Sequence, residues 1–241
     1  MHRFYFDETR RENDCVRLDE EESKHALQVL RLKKDAEIVL LDGLGGVYEA
    51  RIVEIARQRV TAEITAVISD NEASTRVTLY QGLPKAAKLE NILQKCTEIG
   101  VHALQPVLFS RCVQDAKSAE KWLLRLRRIA REAAKQCGRG QVPMVGHPMA
   151  FAEMARRLGG HELTLVPWEE AEGPYIRDVL KDHPAREIAL VIGPEGGIAP
   201  EEIRQLVAMG AKTVTLGPRI LRTETAGMAA LAAILTLTGD L

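Results

Sequence analysis

The chain has 241 residues, with 33 Lys and Arg against 34 Asp and Glu, a formal net charge of -1 and 46% hydrophobic residues. At about 150 residues per domain, this describes a folded, soluble protein of one or two domains rather than a disordered tail. No apolar run approaches the roughly 20 residues a membrane span requires, the opening from Met1 to Glu8 matches neither a signal peptide nor a presequence, and Cys15, Cys96, Cys112 and Cys137 show neither metal-ligand spacing nor a CxxC pair.

The first part of the chain reads as short strands. Glu20 to Leu30 suits one short helix, with Ala26, Leu27 and Leu30 on a common face. Ile38–Leu41 and Val47–Val53 flank Asp42-Gly43 and Gly45-Gly46, a hairpin signal. Val60, Ala62, Ile64, Ala66 and Ile68 alternate with other residues as in a half-buried strand. A small β-barrel of about 70 residues fits this pattern, and the polar stretch Ser69–Ser74 reads as a linker. Residues 1–73 carry 11 basic and 16 acidic side chains, and residues 74–241 carry 22 and 18.

Beyond the linker, strands and helices alternate. Val77–Tyr80 suits a strand. Lys85–Ile99 suits a helix whose apolar face includes Leu89, Ile92, Leu93 and Cys96, with Gly100 as its cap. Ala103–Phe109 reads as a strand interrupted by Pro106, and a long helix built on Trp122, Leu123, Leu126, Ile129, Ala130 and Ala133 follows. From Lys117 to Arg139 eight Lys or Arg are opposed only by Glu120 and Glu132, which suits either a phosphate footprint or a solvated helix face. Phe151–Leu158 is helical, Leu163–Val166 a strand, Ile188–Ile192 a strand apolar on both faces, Glu201–Met209 helical, Thr213–Leu216 a strand, and Glu224–Leu235 a final helix. This order predicts an α/β fold with an open, mostly parallel sheet, whose ligands gather at the carboxyl ends of the strands.

Two loops at such ends stand out. Gly193-Pro194-Glu195-Gly196-Gly197 leads to Pro200, Glu201 and Glu202, which suit the start of a helix. It lacks both the Lys-Ser/Thr ending of a P-loop and the GxGxxG order of a dinucleotide fold, so a ligand held by backbone without a phosphate suits it better. Leu216-Gly217-Pro218-Arg219-Ile220-Leu221-Arg222 runs into Thr223, a candidate helix cap, and Glu224. Arg222 is read either as an arginine satisfying carbonyls or as a substrate contact.

The segments Gly193–Gly197 and Leu216–Ala226 together resemble the ribosomal RNA small-subunit methyltransferase E (RsmE) family of the SPOUT superfamily. Further matches run in order along essentially the whole chain: His2-Arg3-Phe4, His25, Leu30-Arg31-Leu32, Lys95–Val101, Pro106, Arg111 and Arg131–Arg139. Family members usually have Phe-Ser where this chain has Ile198-Ala199, and an acidic residue where it has Ser110.

The resemblance implies a SPOUT-type α/β domain with a C-terminal deep trefoil knot over residues 74–241, and an RNA-guiding PUA-like β-barrel over residues 1–73. It implies a cytoplasmic homodimer that uses S-adenosylmethionine (AdoMet), without a metal, to methylate uridine N3 at one decoding-region site of 16S rRNA in the 30S subunit. Membranes and DNA are not expected partners. The cofactor falls to Leu165, Pro167, Gly193, Glu195, Gly196, Gly197, Leu216, Gly217, Ile220 and Leu221, with Glu195 contacting it or steadying its loop. Arg222 is the candidate for charge stabilisation, and Glu224 is a candidate base or simply a helix-terminal charge. Arg3, Arg111, Arg128, Arg131 and Arg139 are candidate RNA contacts, with intramolecular or dimer roles as the alternative for Arg131 and Arg139. The alternatives to this activity are a knotted methyltransferase for another RNA or atom, and a non-catalytic RNA-binding assembly factor.

Overall fold

The computed structural model describes residues 1–68, 71–113 and 116–241, without the side chains of residues 86 and 116–121. Ser69 and Asp70 of the expected linker lie outside the described residues. Two compact units are present: Met1–Glu72 with Ala134–Val142, and Ala73–Ala133 with Pro143–Leu241.

The first unit holds β1 (His2–Tyr5), β2 (Arg11–Glu12), β3 (Cys15–Arg17), α1 (Glu20–Lys24), β4 (Glu37–Leu41), β5 (Val47–Ala56) and β6 (Arg59–Ile68). They form one sheet in the order β1-β4-β5-β6-β3-β2. Asp19 caps α1 by accepting from Glu22 N–H at 2.8 Å, and the helix continues as a π-helical turn over His25–Val29. The β4–β5 hairpin closes where Asp42 Oδ1 accepts from the N–H groups of Leu44 and Gly46, at 2.7 and 2.8 Å. Phe4, Val16, Leu18, Ile38, Leu40 and Ile52 fill the core. In β6 only Val60 and Ala62 are buried and Ile64 half-buried; Ala66 and Ile68 are exposed, because the alternating pattern outruns the core it faces.

Ala134–Val142 belongs to this unit, although a division at residue 73 places it in the second. Ala134 packs with Tyr5, Val39, Leu41 and Val47. Lys135 Nζ lies 2.6 Å from Glu22 Oε2, and the Tyr5 hydroxyl donates to the Arg139 carbonyl at 3.0 Å.

The second unit carries β7 (Arg76–Gly82), α2 (Ala86–Ile99), β8 (Ala103–Leu108), most of α3 (Ala116–Cys137), β9 (Met144–Val145), β10 (Met149–Ala150) and α4 (Phe151–Leu158). Next come β11 (Leu163–Pro167), α5 (Ile176–Asp182), β12 (Glu187–Ile192), α6 (Pro200–Ala208), β13 (Lys212–Val214) and α7 (Thr223–Thr238). The sheet runs β10-β8-β7-β12-β11-β13, with β9 also on β8, and every pairing is parallel. Its middle strands read as continuous apolar runs because they are covered on both faces.

Pro106 does not interrupt β8. It sits between the positions paired by β9 (Ala103, Leu104) and those paired by β10 (Val107, Leu108), where its missing N–H is not needed. The Gln105 side chain spans that gap by donating to the His147 carbonyl. Cys96 is fully buried in α2, and burial pushes its thiol up to about 12.

Candidate active site

β12, β11 and β13 are neighbours in the sheet, and the loops leaving their carboxyl ends wall one cavity of about 600 Å³. That volume and position suit a small-molecule site in an α/β sheet. The loop after β11 contributes Trp168, Glu169, Glu172 and Tyr175. From the loop after β12 come Pro194, Glu195 and Gly197, and from the loop after β13 the run Thr215–Leu221. Pro167 and Ala226 also line it.

Of the residues expected to meet a ligand, Pro167, Glu195, Gly197, Leu216, Gly217, Ile220 and Leu221 line the cavity. Leu165 does not; it is buried within β11, paired with Leu190 and Lys212. Gly193 and Gly196 are also outside the lining, and their carbonyls accept from Thr223 Oγ1 at 2.6 Å and Arg111 Nη1 at 3.2 Å. Sequence reasoning missed Trp168, Glu169, Glu172 and Tyr175, whose loop carries no paired glycines. The only signal available was its place after the strand that carries Leu165 and Pro167.

Close approach at one and a positive φ at the other explain two of the glycines. Gly82, at the end of β7, faces Gly193-Pro194 so closely that a Cβ would run into the Pro194 nitrogen. Gly197 has φ +73°, in the left-handed region, and a Cβ there would strike the Glu169 carboxylate.

A buried polar chain ties the loops to the sheet. Gln81 Nε2 of β7 donates to Thr223 Oγ1 at 2.9 Å, and that hydroxyl donates to the Gly193 carbonyl. Thr223 is therefore the first residue of α7 and not its cap; the cap position is Arg222, whose carbonyl accepts from Thr225 and Ala226 N–H, both at 2.8 Å. At the start of α6, Ala199 has no side-chain oxygen to offer. Glu202 reaches back instead, accepting from Ala199 N–H at 3.1 Å.

Charge at the site is mostly acidic. Burial opposes ionisation of Glu195, but hydrogen bonds from its own N–H, Lys88 and Lys85 N–H outweigh it and hold the carboxyl below its usual range. Lys88 is raised, chiefly by its hydrogen bond to Glu195. Among the described residues, no three His, Cys, Asp or Glu side chains gather so as to hold a metal ion.

Neither candidate catalytic residue lines the cavity. Arg222 is exposed at the mouth of α7, next to lining residue Leu221. Glu224 turns to Lys88, 3.3 Å away, an arrangement that suits the helix-terminal reading over the base.

The arginines divide. Arg128 and Arg131 are exposed on α3, Arg111 is exposed while holding Gly196, and Arg3 donates to the Gln136 carbonyl at 3.2 Å. Arg139 is different. It is only 6% exposed, with Nη2 2.6 Å from Glu72 Oε2, so its guanidinium serves the first unit's interior and is withdrawn from RNA.

An RNA methyltransferase domain family matches residues 71–235, and an RNA methyltransferase PUA domain family matches residues 18–65. A ribosomal RNA small subunit methyltransferase E from a Synechocystis strain is 40% identical, over 87% of this chain and 69% of its own length. The Bacillus subtilis enzyme of that name is 32% identical, over 97% and 96%. This chain belongs to the ribosomal RNA small subunit methyltransferase E family.

A crystal structure of a family member from Neisseria gonorrhoeae, bound to S-adenosyl methionine, superposes with a TM-score of 0.88 at 35% identity, over 98% of both chains. Within the family's SPOUT-like α/β architecture, two of the departures from the usual residues, Ser110 and Ala199, meet at one carboxylate. Glu202 accepts from Ser110 N–H at 2.8 Å and Ser110 Oγ at 3.1 Å as well as from Ala199. Ile198, in place of the usual Phe, is buried with Tyr80, Val107 and Phe109.

Proposed function

We propose that the chain methylates N3 of one uridine in the decoding region of 16S rRNA, in the cytoplasm, on the 30S subunit, as a homodimer. Its family membership makes it an AdoMet-dependent methyltransferase of 16S rRNA with an N-terminal PUA-like domain. The observation that carries the reading is the three-loop cavity. Its glycine backbone and the apolar Leu216, Ile220 and Leu221 suit an adenosine moiety, and Glu169, Glu172 and Glu195 suit a cation. When bound, AdoMet supplies an electrophilic methyl carbon on a sulfonium leaving group, chemistry that requires no metal. We read the loops on either side of β13 as part of the deep trefoil knot that the family implies.

The residues of this chain then hold and orient. Glu195, fixed by Lys88 and Lys85, steadies its loop. Arg222, exposed at the edge of the cavity, is placed to stabilise negative charge on the uracil carbonyl oxygens as N3 loses its proton. Much of the rate comes from aligning N3 with the methyl carbon, which needs no special side chain. Arg3, Arg111, Arg128 and Arg131 provide the phosphate contacts, which position the RNA without reading its bases.

Labelled methyl transfer from AdoMet to undermethylated 30S subunits tests this, with free rRNA alongside and the product nucleoside identified by mass spectrometry. Recovery of 3-methyluridine from one decoding-region position is the expected result. Transfer to another atom or site, or saturable AdoMet binding without transfer, overturns the substrate assignment.

A further inference from the structure

One loop that walls the cavity and the helix that follows another meet at a single ammonium group that does not line it. Lys88 stands in the first turn of α2, with Nζ 3.2 Å from Glu195 Oε1 and 3.3 Å from Glu224 Oε2. Glu195 belongs to the loop after β12, and Glu224 follows the loop after β13 as the second residue of α7. Glu224 Oε2 is buried without a hydrogen-bond partner among the described residues, so the Lys88 charge is its compensation. Glu195 also accepts from Lys85 N–H at 3.4 Å, which joins its loop to the same end of α2.

We infer that Lys88 is a positioning residue, holding the two cofactor loops at the spacing that AdoMet requires. The inference rests on the cavity being the AdoMet site. Without the ammonium, the carboxylates of Glu195, in the loop after β12, and Glu224, in α7, lose the positive charge between them, and like charges at that range repel. The loops then part, and the cavity they wall changes width. Because Lys88 is about one-third exposed, its ion pairs add little to global stability, so ligand affinity is the sensitive readout.

Calorimetric titration of the full chain with AdoMet tests this, together with steady-state kinetics on 30S subunits. Lys88→Met is expected to raise the AdoMet Kd about 10-fold, as displaced contacts do. The KM for AdoMet rises with it, the KM for 30S subunits stays unchanged, and the unfolding midpoint is preserved. Lys88→Arg restores most of the affinity, and K88M/E224Q binds no more weakly than K88M. A wild-type Kd in K88M, equal losses in K88M and K88R, or additive losses in the double variant overturn the inference. If K88M does not fold, Glu224→Gln alone must weaken AdoMet binding, and an unchanged Kd there overturns it too. Absence of AdoMet binding by the wild-type protein instead overturns the cavity reading itself.

Discussion

The Thr223 hydroxyl accepts from Gln81 and donates to Gly193, so one oxygen serves two groups near the loops that wall the cavity. Thr223→Val keeps the shape but strands the Gly193 carbonyl, at about 1–3 kcal/mol for a buried group left unpaired, while Gln81 Nε2 keeps its 3.0 Å bond to the Gly82 carbonyl. The expected outcome is a loss of roughly 1–3 kcal/mol in urea unfolding together with weaker AdoMet binding, while Thr223→Ser stays near the wild type. Arg222 predicts a different pattern, because it is exposed and outside the cavity lining. Arg222→Ala should lower kcat about 100-fold, the scale of a lost oxyanion-type contact, and leave the AdoMet Kd unchanged by calorimetry. The sequence made both residues visible, but assigned Thr223 to capping. Its true partners come from β7 and from the loop after β12, and no local pattern records them. Lys88 was hidden for the same reason, since its ion pairs exist only where distant segments converge.

At the scale of elements, Asp240 fastens the end of α7 to the start of β7. Its carboxylate accepts from Ser74 N–H and Oγ at 2.7 and 2.8 Å, and from Thr238 Oγ1 at 2.9 Å. Burial opposes ionisation there, but the hydroxyl and N–H donors of Thr75, Ser74 and Thr238 prevail and hold the carboxyl far below its usual 3.8. A depressed carboxylate contributes stability above its unfolded value and loses it as pH falls toward the folded one. The melting temperature of Asp240→Asn should therefore lie below wild type at pH 7, and the gap should narrow below about pH 4; a gap constant down to pH 3 would count against it. The elements themselves were largely legible. Phe151–Leu158 forms a helix over the residues its periodicity marks, and the apolar run Ile188–Ile192 is a strand. Short pieces were not: β9 and β10 have two residues each, too few to show a period, and α5 has seven.

For the whole molecule, the chain passes from the first unit to the second, back for Ala134–Val142, and out again. A fragment of residues 1–73 thus lacks Arg139, Lys135 and Ala134, which compensate Glu72 and Glu22 and fill the pocket beside Tyr5. Breaking one buried ion pair costs about 3–5 kcal/mol, which is most of a small domain's margin. The fragment is expected to give a collapsed amide spectrum by NMR, and a version with residues 134–142 tethered to it a dispersed one. Arg139→Ala in the full chain should likewise lower the melting temperature before it alters RNA affinity. Linear order hides this arrangement: the composition change near residue 73 marks a boundary, but the basic run that ends at Arg139 reads equally well as a nucleic-acid surface. The Glu72 pair places Arg139 alone in the first unit's interior, while Arg128 and Arg131 of the same run stay exposed.

The Gln81–Thr223 bond joins residues 142 positions apart. A ribosome adding about 5–20 residues per second reaches Thr223 roughly 7–28 s after it has made Gln81. Until then Gln81 has only its bond to the Gly82 carbonyl, and the Gly193 turn, once made, is unpinned. The cavity proposed to take the methyl donor is thus a late product of the protein's own synthesis, and a growing chain does not have it until α7 has begun.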